Sequence, residues 1–175
     1  SFEKTASMAR EGAVILSQRY AYEKGVDTIV CLDGSEVIGA FLARHLAQND
    51  RFAVNRSKNI NVITPEYDSI GQLIFRDNLQ PMISGKHVLI LMASVTTGIT
   101  ISRSMDCVRY YGGQIAGVSA IYSAAEAAED GTPINALFRV SDLPDYASYS
   151  AHNCPMCRRG DKIDALVTGN GYSSL

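Results

Sequence analysis

The residues best suited to chemistry follow the most apolar run of the sequence, Val88 to Ala93. A turn rich in hydroxyl groups comes next, and a segment with the pattern of a helix opens at Ile99. Because the first amides of a helix have no partner within it, such a turn favours binding of an anion, above all a phosphate. The residues predicted to bind the phosphate are Ser94, Thr96, Thr97, Gly98 and Thr100.

A simpler interpretation of this turn is that its hydroxyl groups only cap the helix. The turn also lacks the second glycine and the Lys-Ser/Thr pair of a Walker A loop. The sequence therefore predicts a phosphate site of another kind, in which Gly98 lets the ligand come close to the backbone.

Strands and helices must position this turn. Val88 to Ala93 is the expected central strand, since parallel strands buried on both faces are apolar throughout. Thr28 to Leu32 predicts a neighbouring strand, and a helix over Val37 to Gln48 is expected after the turn that follows it. The remaining expected elements are an opening helix within residues 2–24, a helix from Ile99 to the Gly112-Gly113 pair, and strands at Ala116 to Tyr122 and Ile134 to Val140.

The middle of the sequence is less regular. Short β-like runs at 52–54, Ile60 to Thr64 and Leu73 to Phe75 predict a small antiparallel excursion. The whole pattern indicates one α/β domain over residues 1–175, with a core at about 27–140 and a C-terminal tail at 141–175. We expect a three-layer, mostly parallel twisted sheet with helices on both faces, and a C-terminal hood.

Composition narrows the classes of function. The chain has 175 residues, 46% of them hydrophobic, and a formal net charge of -2 from 16 basic and 18 acidic residues. This charge does not favour nucleic acid as a partner, and no apolar run is long enough to span a membrane. The opening residues do not form a secretory signal, so we expect a cytoplasmic protein.

The segment from His87 to Thr100 resembles the phosphoribosyl-diphosphate signature of type I phosphoribosyltransferases, most closely that of orotate phosphoribosyltransferase. In that family an apolar strand ends in two acidic residues, and a Thr-Thr-Gly type loop binds the 5-phosphate. The order of elements over about 27–140 agrees with the family. The tail from Cys154 to Gly160 also resembles a C-terminal segment of some orotate-type members.

The chain departs from that signature at its acidic pair, which falls on Met92 and Ala93. Neither side chain accepts a hydrogen bond from ribose or binds the magnesium shell. If each carboxylate contributed about 1.5 to 3 kcal/mol, the loss of both would weaken affinity or rate by roughly two to four powers of ten. The resemblance therefore implies phosphate binding, with impaired or altered ribosyl transfer.

Other groups are expected in the ribose and pyrophosphate region. They lie in the turn after the first strand, at Asp33, Gly34, Ser35 and Glu36, and in the excursion at Arg76. Asp33 and Glu36 also have the spacing of a capping box, which is the competing interpretation. Arg76 is expected to contact pyrophosphate rather than Arg56 or Lys58, and a solvated hairpin end is its alternative.

His152, Cys154 and Cys157 supply three zinc ligands within six positions, but a tetrahedral site needs a fourth. A reduced structural turn is the alternative that an isolated Cys-x-x-Cys favours. Magnesium is expected only if the protein is catalytically active.

Three functions follow from these patterns. The first is an orotate-type phosphoribosyltransferase homologue that binds 5-phosphoribosyl diphosphate or a nucleoside monophosphate and transfers phosphoribosyl to a nucleobase. The second is a noncatalytic nucleotide sensor or assembly subunit with the same fold, and the third is a flavodoxin-like domain holding a flavin phosphate. The resemblance implies a homodimer, for which the opening helix offers a surface.

Overall fold

A computed structural model gives the structure of the chain and describes residues 5–20, 25–48, 59–70, 72–147, 149, 152–168 and 171–175. The chain divides into two compact units, Ser1–Arg139 and Val140–Leu175. The predicted run at 52–54 and the residues Arg56 and Lys58 lie outside the described residues.

The first unit is built on a parallel sheet of five strands. The strands of this unit are β1 (Thr28–Cys31), β2 (Asn61–Ile63), β3 (Glu66–Tyr67), β4 (Leu73–Ile74), β5 (His87–Val95), β6 (Gln114–Ser123) and β7 (Ile134–Arg139). The main sheet has the order β2-β1-β5-β6-β7, and each neighbouring pair is parallel. The expected central position of β5 is confirmed, and its residues Val88 to Leu91 are fully buried because both faces of the sheet are covered.

Helices cover the two faces of this sheet. The helices α1 (Ala6–Ser17) and α2 (Glu36–Gln48) pack together on one face, where α1 contacts β7 and α2 contacts β1 and β2. The helix α3 (Ile99–Tyr110) packs on the other face against β5 and β6. Alternate side chains of β5 therefore enter two separate cores: Leu89 and Leu91 face α1 and α2, whereas Ile90 and Met92 face α3.

The region after α2 differs in part from the prediction. The run at Ile60 to Thr64 was expected in the antiparallel excursion, but β2 pairs in parallel with β1 at the edge of the main sheet. Because α2 lies between them, β1, α2 and β2 form a strand-helix-strand unit, and the amide of Asn61 donates to the carbonyl of Asp27 over 3.0 Å. The antiparallel excursion itself is present as the β3–β4 hairpin, in which Glu66 pairs with Ile74.

The helix α3 ends where the sequence predicted. Gly112 has a φ of 80°, which an L side chain rarely adopts, and its amide donates to the carbonyl of Arg109 over 2.9 Å. The next residue, Gly113, has no room for a side chain, because an added Cβ would lie 2.7 Å from Val108 Cγ1. The glycine pair therefore ends the helix and allows the chain to turn directly into β6.

The second unit contains a short helix α4 (Pro155–Arg159) and an antiparallel hairpin of β8 (Ala165–Thr168) and β9 (Gly171–Ser174). The amide of Leu175 donates to the carbonyl of Asp164 over 3.0 Å, which closes the open end of this hairpin. None of the helices in the described part of the chain is long and apolar enough to cross a membrane.

Candidate functional site

The predicted phosphate loop is shorter in the structure than in the sequence interpretation. Strand β5 continues through Val95, and Ser94 pairs with Tyr122 of β6, because β6 is long enough to supply a partner. The turn itself comprises Thr96, Thr97 and Gly98, and Thr100 lies in the first turn of α3. Ser94 is therefore a strand residue at the carboxyl edge of the sheet, although its side chain is exposed.

The start of α3 carries unpaired amides. Gly98 is the residue before the helix and has a φ of 80°, so the chain enters α3 through a left-handed conformation. Among the described residues, no group accepts a hydrogen bond from the amides of Thr96, Thr97 or Gly98. The first bond of the helix runs from the Ser102 amide to the Gly98 carbonyl over 3.0 Å. Thr96, Thr97 and Thr100 are exposed, so the turn can offer amides and hydroxyl groups to an anion.

The turn between β1 and α2 lies at the same edge of the sheet. Asp33 and Gly34 have φ values of 55° and 80°, and the amide of Ser35 donates to the carbonyl of Leu32 over 3.2 Å. This combination is typical of a type I′ turn. Ser35 is buried, and its hydroxyl donates to the carbonyl of Leu91 over 3.0 Å. The turn is therefore fixed to the central strand one residue before Met92.

The capping box expected at Asp33 and Glu36 is not formed. The helix α2 begins at Glu36, and the carbonyl of Ser35 accepts the first helical bond from the Gly39 amide over 2.9 Å. Ser35 thus occupies the capping position, since the positive φ values of Asp33 and Gly34 exclude both from the helix. Glu36 accepts a hydrogen bond from the Thr64 hydroxyl over 3.0 Å instead.

A cleft of about 1130 Å³ opens between the carboxyl edge of the sheet, α3 and the β3–β4 hairpin. Four of the residues predicted from the sequence line it: Asp33, Met92, Ser94 and Thr100. The others are Tyr67, Ile70, Gln72, Leu73, Ile74, Arg103, Asp106, Cys107, Tyr110 and Tyr111. The cleft is therefore lined by Asp33 of the first turn and by Ser94 and Thr100, which flank the second turn on either side.

The sequence interpretation missed the α3 side of the cleft. Arg103 lies three residues after Thr100, so both side chains lie on the same face of the helix. Arg103 is exposed and makes no ion pair within the described residues, so its charge is available to an anion in the cleft. This spacing could have identified Arg103 once the phosphate loop was placed at the start of α3.

Aromatic side chains form the outer part of the cleft. Tyr67 of the hairpin is 56% exposed and Tyr110 of α3 is 83% exposed, so both present ring surface to a ligand. Tyr111 holds the end of α3 through edge-to-face contacts with Phe75 and Tyr110, at ring centroid distances of 5.4 and 5.1 Å.

Met92 and Ala93 make the edge of β5 apolar. Met92 is 2% exposed, and its side chain belongs to the core beneath α3 while also lining the cleft. Ala93 is half-buried and packs against the core on the opposite face. The two positions therefore point to opposite sides of the sheet, and neither adds charge to the cleft.

Asp33 places a carboxyl group in the cleft. Its removal from water in the cleft raises the pKa of the Asp33 carboxyl. Burial raises the pKa of the Tyr67 phenol, and the nearby charge of Asp33 raises it further. The charge of Asp33 therefore acts on the Tyr67 phenol within the cleft.

Arg76 does not line the cleft. Its guanidinium binds the Glu66 carboxylate, with Nη2 at 2.6 Å and Nε at 2.9 Å from the same oxygen. The hydrogen bonds from Arg76 lower the pKa of Glu66, and both side chains are exposed on the hairpin. The pair connects β3 to the second residue after β4 and leaves Arg103 as the arginine of the cleft.

The three tail residues considered as zinc ligands do not converge in the described residues, which agrees with the alternative of a reduced structural turn. In the part of the chain that the structure describes, no group of three or more His, Cys, Asp or Glu side chains is placed to bind a metal ion. Cys154 lies directly before α4, where its sulfur accepts a hydrogen bond from the Cys157 amide over 3.4 Å. The helix therefore brings the two cysteines together without His152.

The comparisons with known proteins agree with this architecture. No protein-family model matches the chain. The chain is 31% identical over 87 residues to an orotate phosphoribosyltransferase of Pelotomaculum thermopropionicum, a match that covers 49% of this chain and 43% of that enzyme. The chain thus spans less than half of the length of this curated relative.

Solved structures extend the likeness to most of the chain. A phosphoribosyltransferase from Corynebacterium diphtheriae has a TM-score of 0.58 at 18% identity, and the match covers 82% of this chain and 81% of that one. An adenine phosphoribosyltransferase from Thermoanaerobacter pseudethanolicus has a TM-score of 0.56 at 19% identity, with coverage of 79% and 83%. An orotate phosphoribosyltransferase from Mycobacterium tuberculosis has a TM-score of 0.56 at 16% identity, with coverage of 81% and 78%.

The resemblance expected from the segment His87 to Thr100 is thereby confirmed. The chain has the fold of the type I phosphoribosyltransferases, and about half of its sequence is similar to an orotate phosphoribosyltransferase.

Proposed function

We propose that the protein binds a phosphorylated ribose, either 5-phosphoribosyl diphosphate or a nucleoside monophosphate, at the start of α3. The observation that carries this proposal is the set of unpaired amides at Thr96, Thr97 and Gly98, at the carboxyl edge of a parallel sheet. Ligands of open α/β folds bind at this edge, and helix starts favour anions. The fold and the sequence similarity to phosphoribosyltransferases support the same ligand class.

The cleft suits the rest of such a ligand. With the 5-phosphate at the loop, the guanidinium of Arg103 is one turn along α3 and would bind a second anionic group, such as a diphosphate. Tyr67 and Tyr110 offer ring faces to a nucleobase. The ligand would thus lie along the cleft, with its charged end at the loop and at Arg103.

Phosphoribosyl transfer to a nucleobase is the activity that we propose if the protein is an enzyme. Among the described residues the carboxylates of the cleft are Asp33 and Asp106, and Asp33 lies in the turn tied to β5. One carboxylate together with ligand phosphates is a donor set that Mg²⁺ accepts, and Asp33 would be the protein's contribution to it. Bound Mg²⁺ would neutralise charge on the diphosphate leaving group.

A second candidate function is a noncatalytic nucleotide sensor or assembly subunit. The apolar character of Met92 and Ala93 favours it, because a transition state with positive charge on the ribose is stabilised by nearby negative charge. In an active enzyme, the carboxylate of Asp33 would have to substitute for the acidic pair that Met92 and Ala93 replace. Turnover decides between the two candidates, since both require the same phosphate loop.

Binding is tested by calorimetric titration of 5-phosphoribosyl diphosphate and nucleoside monophosphates, with the unphosphorylated nucleoside as the ligand control. We expect the phosphorylated ligands to bind the wild type, Thr97→Ala to bind about tenfold more weakly through loss of one hydroxyl, and Thr97→Ser to resemble the wild type. Equal binding by all three proteins, or no binding by any, would reject the site.

Activity is tested by incubating the protein with 5-phosphoribosyl diphosphate, Mg²⁺ and each purine or pyrimidine base in turn. Release of diphosphate that depends on one base supports the transferase and excludes the sensor. Binding without release from any base supports the sensor.

A further inference from the structure

Two thiols meet in the second unit, at a place that the phosphate site does not include. Cys154 lies directly before α4 and Cys157 lies within it, and neither forms a disulfide. We propose that Cys154 and Cys157 form a thiol–disulfide exchange site that reacts reversibly with low-molecular-weight disulfides, of which oxidised glutathione is one. The proposal does not depend on ribose binding.

The distance between the two residues suits a disulfide. The amide of Cys157 donates to the sulfur of Cys154 over 3.4 Å, so this sulfur lies against the first turn that carries Cys157. Cys154 precedes the helix with an extended backbone, at φ -68° and ψ 116°. Cα atoms three residues apart across a turn lie less than about 7 Å from each other, and disulfides join Cα atoms about 4.4–6.8 Å apart. A local rearrangement of the residue before the helix is therefore enough to close the bond.

Both sulfurs can be reached by a small reagent. Cys157 is exposed and Cys154 is partly exposed. The geometry does not favour a metal site at the two cysteines, because no third His, Cys, Asp or Glu side chain of the described residues joins them. The arrangement of two accessible thiols in Cys-x-x-Cys spacing is the one that thiol–disulfide chemistry uses.

The two thiols differ in their chemistry. The hydrogen bond from the Cys157 amide lowers the pKa of Cys154, and the Cys157 thiol and the charge of Arg159 lower it further. The hydrogen bond that Cys157 makes to Cys154 raises the pKa of Cys157. We assign Cys154 as the attacking thiolate because its sulfur accepts the Cys157 amide hydrogen bond over 3.4 Å, and Cys157 as the thiol that resolves the product.

The reaction balances without any further cofactor. The Cys154 thiolate attacks one sulfur of the small disulfide, which forms a mixed disulfide and releases one thiolate. Cys157 then loses its proton to solvent and attacks the Cys154 sulfur, which closes the Cys154–Cys157 bond and releases the second thiolate. The protein loses two hydrogens, and the small disulfide is reduced to two thiols.

The other two cysteines provide internal controls. Cys31 is buried, and burial raises its pKa to about 12, so it is almost never a thiolate. Cys107 is half-buried, its thiol donates to the Leu73 carbonyl over 3.2 Å, and burial raises its pKa. Neither should react on the time scale of the exposed pair.

The test is to incubate the full chain with oxidised glutathione and to follow the intact mass and the tryptic peptides. The wild type should lose two hydrogens at the Cys154–Cys157 peptide and regain them with reduced glutathione. Cys157→Ser should accumulate one glutathione at Cys154, because the resolving thiol is missing. Cys154→Ser should react far more slowly than the wild type.

Three results would overturn the proposal. One is a wild-type chain that stays fully reduced under oxidising conditions in which free cysteine forms disulfides. Another is reaction of Cys31 or Cys107 at the same rate as the pair. The last is stoichiometric zinc that copurifies with the chain and protects both thiols.

Discussion

Gly98 has a left-handed conformation, so the substitution Gly98→Ala best separates an effect on folding from an effect on ligand binding. Gly98 has a φ of 80° at the entrance to α3, and the nearest atom to an added Cβ would be the Ala127 carbonyl oxygen at 3.7 Å. That distance is an ordinary contact, so Gly98→Ala should fold. The cost is conformational, because an L side chain in this region is disfavoured by about 1–2 kcal/mol.

The effect of Gly98→Ala on binding should exceed its effect on the fold. Relief of the strain requires a rotation at residue 98, which moves the adjacent amides of the turn away from the phosphate. Each hydrogen bond to a charged group contributes about 1.5–3 kcal/mol, so the loss of one weakens binding roughly tenfold to a hundredfold. The free energy of unfolding should fall by about 1–2 kcal/mol, which lowers Tm by about 2–8 °C in a chain of this size.

Gly85→Ala is the matched control. Gly85 also has a positive φ, of 69°, and an added Cβ would meet no atom within 4 Å. It lies just before β5, at the opposite edge of the sheet from the loop. We expect thermal denaturation to show a similar decrease in Tm for both variants. Calorimetry with 5-phosphoribosyl diphosphate should show weaker binding only for Gly98→Ala. Equal affinity of the two variants would refute the role of the turn.

Further predictions concern the cleft, the core and the surface. Arg103→Ala should weaken 5-phosphoribosyl diphosphate binding by about tenfold or more in calorimetry. Arg44→Ala, on the opposite face of the sheet, should not. Equal effects of the two substitutions would contradict ligand binding in the cleft. Met92→Ala should lower the free energy of unfolding by about 2–5 kcal/mol in urea titrations because it opens a cavity, whereas the exposed Met8→Ala should change little. The hydrogen bond from Arg109 lowers the pKa of Asp130 to about 2. The contribution of Asp130 to stability should therefore be complete above about pH 4 and should disappear as the pH falls to about 2. Acid unfolding should therefore separate Asp130→Asn from the wild type near pH 5 and not near pH 2.

The central strand and the loop were predictable because their signals are local. Val88 to Ala93 is apolar at every position, and few structures other than a strand buried on both faces explain so short a run. The helix after it ends at Tyr110, close to the predicted glycine pair, and Gly112 adopts the positive φ that the chain needs there. Such features depend on neighbours in sequence, so one sequence is enough to find them.

The cleft was not predictable because its walls come from distant segments. Tyr67 reaches the cleft only through the β3–β4 hairpin, whose position over α3 depends on tertiary packing. The run at Ile60 to Thr64 was assigned to the antiparallel excursion because its pattern does not distinguish a parallel edge strand from an antiparallel one. Likewise, the spacing of Asp33 and Glu36 suggested a capping box, and only the backbone dihedrals show that Ser35 holds the capping position.

Amide resonances provide the most direct test of the phosphate site. In a titration of the ¹⁵N-labelled protein with ribose 5-phosphate, we predict that the amide signals of Thr96, Thr97 and Gly98 shift the most and that they saturate together. Ribose without the phosphate should leave these signals unchanged. Saturable binding of ribose 5-phosphate that shifts other amides and leaves these three in place would contradict the account.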